Sequence, residues 1–318
     1  MPKYVVEGGK PLNGTIRPAG NKNAALPVIC ATLLSEEPVT LENVPDIRDV
    51  RTLLDLLTQL GCDVDWQGGG TVRIHAKEIR IAEVDRAMAA RIRASILLAG
   101  PMLARTGNMI LPPPGGDVIG RRRVDTHFLA LQRLGGRVET RGGYHLESDG
   151  LHGADIFLDE PSVTATENTI MAAALAQGTT RIRNAAAEPH VQDLCNMINA
   201  LGGRISGIGT HVLEIEGVDR LHGGTFRVGS DHIEVGSFIG LAAVTRGDIT
   251  IQDAAVEHLD STLLGFERLG IQCEIQGDDL RIPADQDLEI KMDLGGHIPK
   301  IDDGPWPAFP ADLTSIAL

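Results

Sequence analysis

The dipeptide Leu-Gly recurs at Leu60-Gly61, Leu134-Gly135, Leu201-Gly202 and Leu269-Gly270, at spacings of 74, 67 and 68 residues. No other feature constrains the fold of this 318-residue chain as tightly, because each copy must be a supersecondary unit that buries its apolar face on its neighbours. Before each dipeptide, apolar residues fall at helical spacing, as at Val50, Leu53, Leu54, Leu57 and Leu60, or Leu194, Met197, Ile198 and Leu201. The glycine that follows predicts a left-handed C-terminal cap. After it come two short strand-like runs about a Gly-rich turn: Cys62 to His75, Arg137 to Glu147, Arg204 to Ile215 and Ile271 to Ile282.

Upstream of each such unit the pattern predicts another helix and then a strand. The helices are expected over Asn23 to Leu34, Ala90 to Leu103, Glu167 to Ala176 and Glu234 to Val244. The strands follow at Val39 to Leu41, Asn108 to Leu111, Thr179 to Ile182 and Asp248 to Ile251. One repeat is therefore strand, helix, strand, helix, strand, strand, which predicts an α/β fold with parallel βαβ pairing, right-handed crossovers and a terminal hairpin. A fifth copy begins at Pro310-Ala311-Asp312-Leu313 and runs only to Leu318, so the chain is expected to be C-terminally truncated.

Composition limits the function classes. A 42% hydrophobic and 23% charged chain is an ordinary globular protein. The net charge of −14 and the 3% aromatic content disfavour a nucleic-acid or anionic-membrane partner. The N-terminal residues Met1 to Gly9 lack the apolar core of a signal peptide, and no stretch approaches transmembrane length. Cys30, Cys62, Cys195 and Cys273 share no metal-ligand spacing and read as small buried hydrophobes. With ten histidines that form no ligand-spaced cluster, no metal and no cofactor is expected, and a reducing cytoplasm is the default location.

Function should lie where one copy departs from the others. The connection between second strand and second helix spans 7, 10 and 8 residues in the first, third and fourth copies, but 13 in the second, from Pro112 to Val124. That loop carries Pro112-Pro113-Pro114-Gly115-Gly116, a single acid, Asp117, and Arg121-Arg122-Arg123. Arginine forks suit carboxylate and phosphate, and Asp117 could give or take a proton. A second departure is Gly20-Asn21-Lys22-Asn23 at the head of the first opening helix. Asparagine capping accounts for the asparagines, and an anion site would also account for Lys22. Arg91 and Arg93 are expected at the corresponding place in the second copy, against the helix dipole, with Ser162-Val163-Thr164 and Asp231-His232-Ile233-Glu234 in the third and fourth. Together these segments suit a small, multiply anionic ligand.

These residues carry a resemblance. From Tyr4 to Leu318 the chain resembles the UDP-N-acetylglucosamine 1-carboxyvinyltransferase family of enolpyruvyl transferases. The resemblance is carried by Ala19-Gly20-Asn21-Lys22-Asn23-Ala24, Ile119-Gly120-Arg121-Arg122-Arg123-Val124-Asp125-Thr126-His127, Pro161-Ser162-Val163-Thr164-Ala165-Thr166-Glu167-Asn168, Asn184-Ala185-Ala186-Ala187-Glu188-Pro189 and Pro307-Ala308-Phe309-Pro310-Ala311-Asp312. It implies an inside-out α/β barrel fold of βαβαββ units, three to a domain. Residues 21–229 would form a complete three-repeat domain, and residues 1–20 with 230–318 an incomplete second one. Six units of about 70 residues would total roughly 420, so about a hundred would be absent.

The implied reaction moves the enolpyruvyl group of phosphoenolpyruvate to the 3-hydroxyl of UDP-N-acetylglucosamine, releasing phosphate, at the first committed step of peptidoglycan synthesis. By resemblance, Lys22 and Arg122 contact phosphoenolpyruvate with Arg91 nearby, and Asn23 contacts the sugar nucleotide. Arg122, Arg123, Val124, Asp125 and Thr126 hold the uridine end with Ser162 and Val163, and Asp312 is the proton acceptor near the sugar hydroxyl. Asp117 stands where many members have the cysteine attacked by fosfomycin, so an active, fosfomycin-insensitive variant is expected. Other departures are Glu160 for a lysine of some members, Arg123 for a proline, His190 at a usually acidic place and His232 at a usually basic one. Two other readings remain open: a shikimate 3-phosphate enolpyruvyl transferase, and a non-catalytic UDP-sugar-binding paralogue or inactive fragment.

Overall fold

A computed structural model of the chain describes residues 3–115 and 123–318. It divides into two compact units, residues 20–229 and residues 1–19 with 230–318. Each repeat makes one sheet with the same plan: a first strand parallel to the second, and the hairpin antiparallel beyond it. In the third repeat the order is Asp155–Phe157, Thr179–Arg183, Val212–Glu216, Arg204–Ser206. In the second it is Asn108–Leu111, Tyr144–Glu147, Arg137–Thr140, and the first strand is reduced to a parallel bridge between Glu83 and Ile110.

The first and fourth repeats differ from a simple reading of the sequence in where their leading strand comes from. Gly14–Ile16 precedes the first opening helix but pairs with Ile249–Ile251 of the fourth repeat. Gly224–Arg227 precedes the fourth opening helix but pairs with Val39–Glu42 of the first. Each unit thus closes its own sheet with a strand brought from the far end of its sequence.

In the unit of residues 20–229 the opening helices lie inside and the sheets outside. Lys22–Ala31 buries every residue from Ala24 to Ala31, and Val163–Ala173 buries every residue from Ala165 to Ala173. Lys22–Ala31 is apolar on all sides from Ala24 onward, as a central helix must be, whereas Val163–Ala173 takes the polar Thr166, Glu167, Asn168 and Thr169 into the centre with it. The sheets carry the opposite signature: Thr179–Arg183 and Val212–Glu216 both alternate exposed and buried positions, one face on the core and one in water. The architecture is therefore α/β of the inside-out barrel kind. The other unit has its own smaller core around Val235, Ile239, Ile251, Leu259, Phe266 and Leu280. Among the described residues no helix is long and apolar enough to cross a membrane.

The Leu-Gly dipeptides close their helices alike. Gly61, Gly135, Gly202 and Gly270 have φ of 104°, 97°, 97° and 87°. In every copy the residue after the glycine donates its N–H to a carbonyl five residues back: Cys62 to Leu57, Gly136 to Leu131, Gly203 to Ile198 and Ile271 to Phe266, at 2.9–3.1 Å. This is the Schellman cap, which a side chain at the glycine would strain. A Cβ on Gly61 would meet nothing closer than 3.4 Å, so only backbone strain opposes it. Gly61→Ala is expected to destabilise the protein by about 1–2 kcal/mol, read from the urea midpoint at unchanged slope.

Three opening helices start elsewhere than the periodicity predicts. Ser162 caps the third by accepting from the Ala165 N–H, so it begins at Val163 and Glu167 falls in its interior. Asp231 caps the fourth through the N–H groups of Ile233 and Glu234, and it begins at His232. In the second repeat the expected helix from Ala90 to Leu103 is broken into a short turn Arg86–Ala89, a 3-10 stretch Arg93–Leu98 and the helix Ala99–Thr106. Arg91 and Arg93 therefore do not open an α-helix, and the dipole argument does not apply to them.

Candidate active site

At the head of the first opening helix, capping is the work of Asn21. Its buried Oδ1 accepts from the N–H groups of Asn23 at 2.8 Å and Ala24 at 3.2 Å. Lys22 points elsewhere. Its ammonium pairs with Asp49 at 2.9 Å, with side chains 47% and 39% exposed. Such a pair is worth about 0–1 kcal/mol in water, so Asp49 holds the ammonium only weakly. Asn23, next to it, is exposed.

Asp117, Arg121 and Arg122 lie outside the described residues. The chain on either side of them is anchored to one segment. Gly115 donates its N–H to the Ala89 carbonyl at 3.1 Å, and packs so closely that a Cβ there would lie 1.7 Å from the Ala90 oxygen. Arg123 offers its carbonyl to Arg93 Nη2 at 2.9 Å. Both flanks of the arginine loop are thus fixed to residues 89–93, the stretch that carries the exposed Arg91.

Arg123, Asp125, Thr126 and Ser162 come together around two acids of the third repeat. The Arg123 guanidinium meets Asp125 and Asp159 directly and Glu160 at 3.7 Å. These partners, Asp125 foremost and then Asp159, raise its pKa beyond the ordinary guanidinium range. Thr126 Oγ1 donates to Asp159 at 2.8 Å, and that hydroxyl, followed by Arg123, holds Asp159 below the usual carboxylate range. The Ser162 N–H donates to the Glu160 carbonyl at 2.8 Å, leading directly into Val163 at the helix start. Val124 precedes the helix Asp125–Arg133 without a side-chain cap bond. Arg123 and Glu160 thus face one another with opposite charges.

In the other unit, Asp312 is exposed in the 3-10 turn Ala311–Leu313. Its field reaches the buried His232 and opposes the lowering of that imidazole, whose pKa burial, helped by His258, pushes down to about 4. Trp306 stands edge-on to both histidines, with ring centroids 6.0 Å from His232 and 6.1 Å from His258. Trp306 and His258 carry no signal in the sequence, since a lone tryptophan and a lone histidine in connecting segments mark nothing until their neighbours are known. His190 is buried in the first turn of Pro189–Ala200. Among the described residues no three of His, Cys, Asp and Glu converge to hold a metal ion.

Comparison with known proteins covers nearly the whole chain. The family model described as EPSP synthase (3-phosphoshikimate 1-carboxyvinyltransferase) matches residues 6–316. A protein of Bradyrhizobium diazoefficiens named UDP-N-acetylglucosamine 1-carboxyvinyltransferase is 59% identical over 316 residues, covering 99% of this chain and 73% of its own length. A protein of the same name from Treponema denticola is 54% identical and covered to 74%. Among solved structures, the enolpyruvyl transferase NikO from Streptomyces tendae superposes with a TM-score of 0.76 at 23% identity, over 87% of this chain and 66% of that one. EPSP synthase from Acinetobacter baumannii superposes with a TM-score of 0.72 at 19% identity, over 92% and 69%. The chain thus spans about three quarters of the named relatives and about two thirds of these structures.

Proposed function

The chain belongs to the enolpyruvyl transferase family, in the branch of the UDP-N-acetylglucosamine 1-carboxyvinyltransferases, and on that premise we propose that it joins phosphoenolpyruvate to the 3-hydroxyl of UDP-N-acetylglucosamine in the cytoplasm. The extent of identity to transferases of that name is the observation that carries the reading.

The chemistry asks for four things. The sugar hydroxyl loses its proton as its oxygen bonds to carbon 2 of phosphoenolpyruvate, and carbon 3 gains a proton. The resulting tetrahedral ketal then loses a proton from carbon 3 as the carbon–oxygen bond to phosphate breaks. Asp312 is the acceptor for the hydroxyl proton and Asp117 the group that serves carbon 3. Lys22 and Arg122, with Arg91 beside the loop, hold the phosphate and carboxylate as charge moves onto the leaving oxygen. Asn23 takes the sugar nucleotide, and Arg123, Val124, Asp125, Thr126, Ser162 and Val163 take the uridine end. The pairing of Arg123 with Glu160 supports this last assignment, because it keeps a cation in the same small patch where Glu160 replaces the lysine of some relatives.

Phosphate release is expected only when phosphoenolpyruvate and UDP-N-acetylglucosamine are both present, with an enolpyruvyl ether of the UDP-sugar found by mass spectrometry. Release with shikimate 3-phosphate as acceptor would move the chain to the other branch. Tight UDP-sugar binding with no release would make it a binding protein.

A further inference from the structure

Ile96 and Gly100 stand four residues apart in the broken opening helix of the second repeat. In an unbroken α-helix the Gly100 N–H would bond the Ile96 carbonyl. The side-chain amide of Asn168, from the third repeat's opening helix, occupies that place instead. Its Oδ1 accepts from the Gly100 N–H at 2.7 Å, and its Nδ2 donates to the Ile96 carbonyl at 2.9 Å. Asn168 is fully buried, and the 3-10 stretch Arg93–Leu98 gives way to the α-helix Ala99–Thr106 at this point. A side chain inserted into the hydrogen-bond ladder is a sufficient cause of such a break. Glycine at position 100 permits the approach, since a Cβ there would lie 2.3 Å from the Asn168 backbone oxygen.

The same amide has one N–H left, and it faces His127 Nδ1 at 2.8 Å. The two backbone partners fix which way the amide points: the oxygen must face the Gly100 donor and the nitrogen the Ile96 acceptor. His127 Nδ1 is therefore an acceptor, and the ring proton sits on Nε2, which donates to Thr164 Oγ1 at 3.1 Å. Burial, with Arg93 adding to it and Asp125 opposing, pushes the imidazole pKa down to about 3, in keeping with a neutral ring. One chain of hydrogen bonds thus joins the 3-10 stretch Arg93–Leu98, whose first residue holds the Arg123 carbonyl, the helix that begins with Asp125 and Thr126, and the helix that begins after Ser162.

We infer that His127 and Asn168 are positioning residues, which set the spacing of Arg123–Thr126 from Ser162–Val163 so that both segments grip the uridine end together. This rests on the enolpyruvyl-transferase reading, and neither residue touches substrate in it.

The test is calorimetric binding of UDP-N-acetylglucosamine to the 318-residue chain and its variants, with nitrogen NMR of the histidine rings. His127→Leu and Asn168→Leu are expected to weaken binding by about tenfold or more, the scale of one lost hydrogen bond. His127→Asn, whose amide can still offer Asn168 an acceptor, should stay within about threefold of the unsubstituted protein. The ring of His127 should show the neutral Nε2–H form from about pH 5 to 9, and Asn168→Asp should convert it to imidazolium and weaken binding. Should the leucine variants fail to fold, His127→Asn and Asn168→Asp decide the question. Leucine variants or Asn168→Asp that fold and bind as tightly as the unsubstituted protein, a His127→Asn that binds as weakly as Asn168→Asp, or a His127 that titrates near its ordinary value, overturn the inference alone. An unsubstituted protein that binds no UDP-N-acetylglucosamine overturns the functional reading, and the inference with it.

Discussion

Asp117→Asn is expected to lower turnover by about 10²–10⁴-fold while UDP-N-acetylglucosamine binding stays within about threefold, as for loss of a proton-transfer group that contributes little to affinity. The asparagine has nearly the same shape and cannot deliver a proton to carbon 3. An unperturbed aspartate, with a pKa near 3.9, is almost wholly ionised at pH 7, so the bound state must favour its protonated form. The dianionic substrate brought against it supplies that bias, because a second negative charge disfavours ionisation. Asp117→Cys should keep activity and become sensitive to fosfomycin, with a covalent adduct on that peptide, whereas the unsubstituted protein should gain none. The background for that experiment is clean. Burial pushes the thiols of Cys62, Cys195 and Cys273 to about 11, 12 and 12, and that of Cys30 well above its usual value, so none is a thiolate at neutral pH. Full turnover by Asp117→Asn would remove Asp117 from the reaction.

Much of the fold is legible from the Leu-Gly repeat, because cap, helix and hairpin are local and each is written in adjacent residues. The positive φ of Gly61, Gly135, Gly202 and Gly270 and the four hairpins follow from sequence alone. The exchange of leading strands is not legible in the same way. Gly14–Ile16 and Gly224–Arg227 each pair with a partner more than 180 residues away, and a short apolar run carries no mark of which edge it will join. Nor is the break in the second opening helix visible near Ala90. At the step from the 3-10 stretch to the helix stands Asn168, whose distance of 72 residues from Ile96 puts it beyond any local pattern.

For the site, the unusual length of the second repeat's connection marks the arginine loop, and the asymmetry of Lys22 marks the first helix. Charge type alone is a poor guide to what each cation meets. Arg123, with Arg121 and Arg122, reads as a free cationic cluster, yet its guanidinium is engaged by Asp125, Asp159 and Glu160. Two of those acids lie in the third repeat, and only the stacking of repeats brings them there. His127 is silent for a different reason: a histidine inside an amphipathic helix carries no signal until its neighbours across the core are known.

The largest expected effect on stability comes from a residue the catalytic reading leaves aside. Glu167 is 1% exposed among the central helices of residues 20–229, and among the described residues its Oε1 has no hydrogen-bond partner. Burial, and then the field of Glu188, raises its pKa well above the usual carboxylate range. Glu188 is itself raised by burial, and its Oε2 also lacks a partner among the described residues. An unfolded chain releases the Glu167 proton near pH 4.3, whereas the folded one keeps it, so folding takes up a proton. Stability from this site is therefore fully present below about pH 4.3 and is lost as pH rises toward the raised folded value. Glu167→Gln removes the titration and offers an amide donor toward Glu188. It should raise stability by about 1–3 kcal/mol at pH 8, the scale of satisfying a buried polar group, and by little near pH 4. Urea unfolding at both pH values reads the difference. An identical pH slope in the two proteins would mean that Glu167 does not hold the proton.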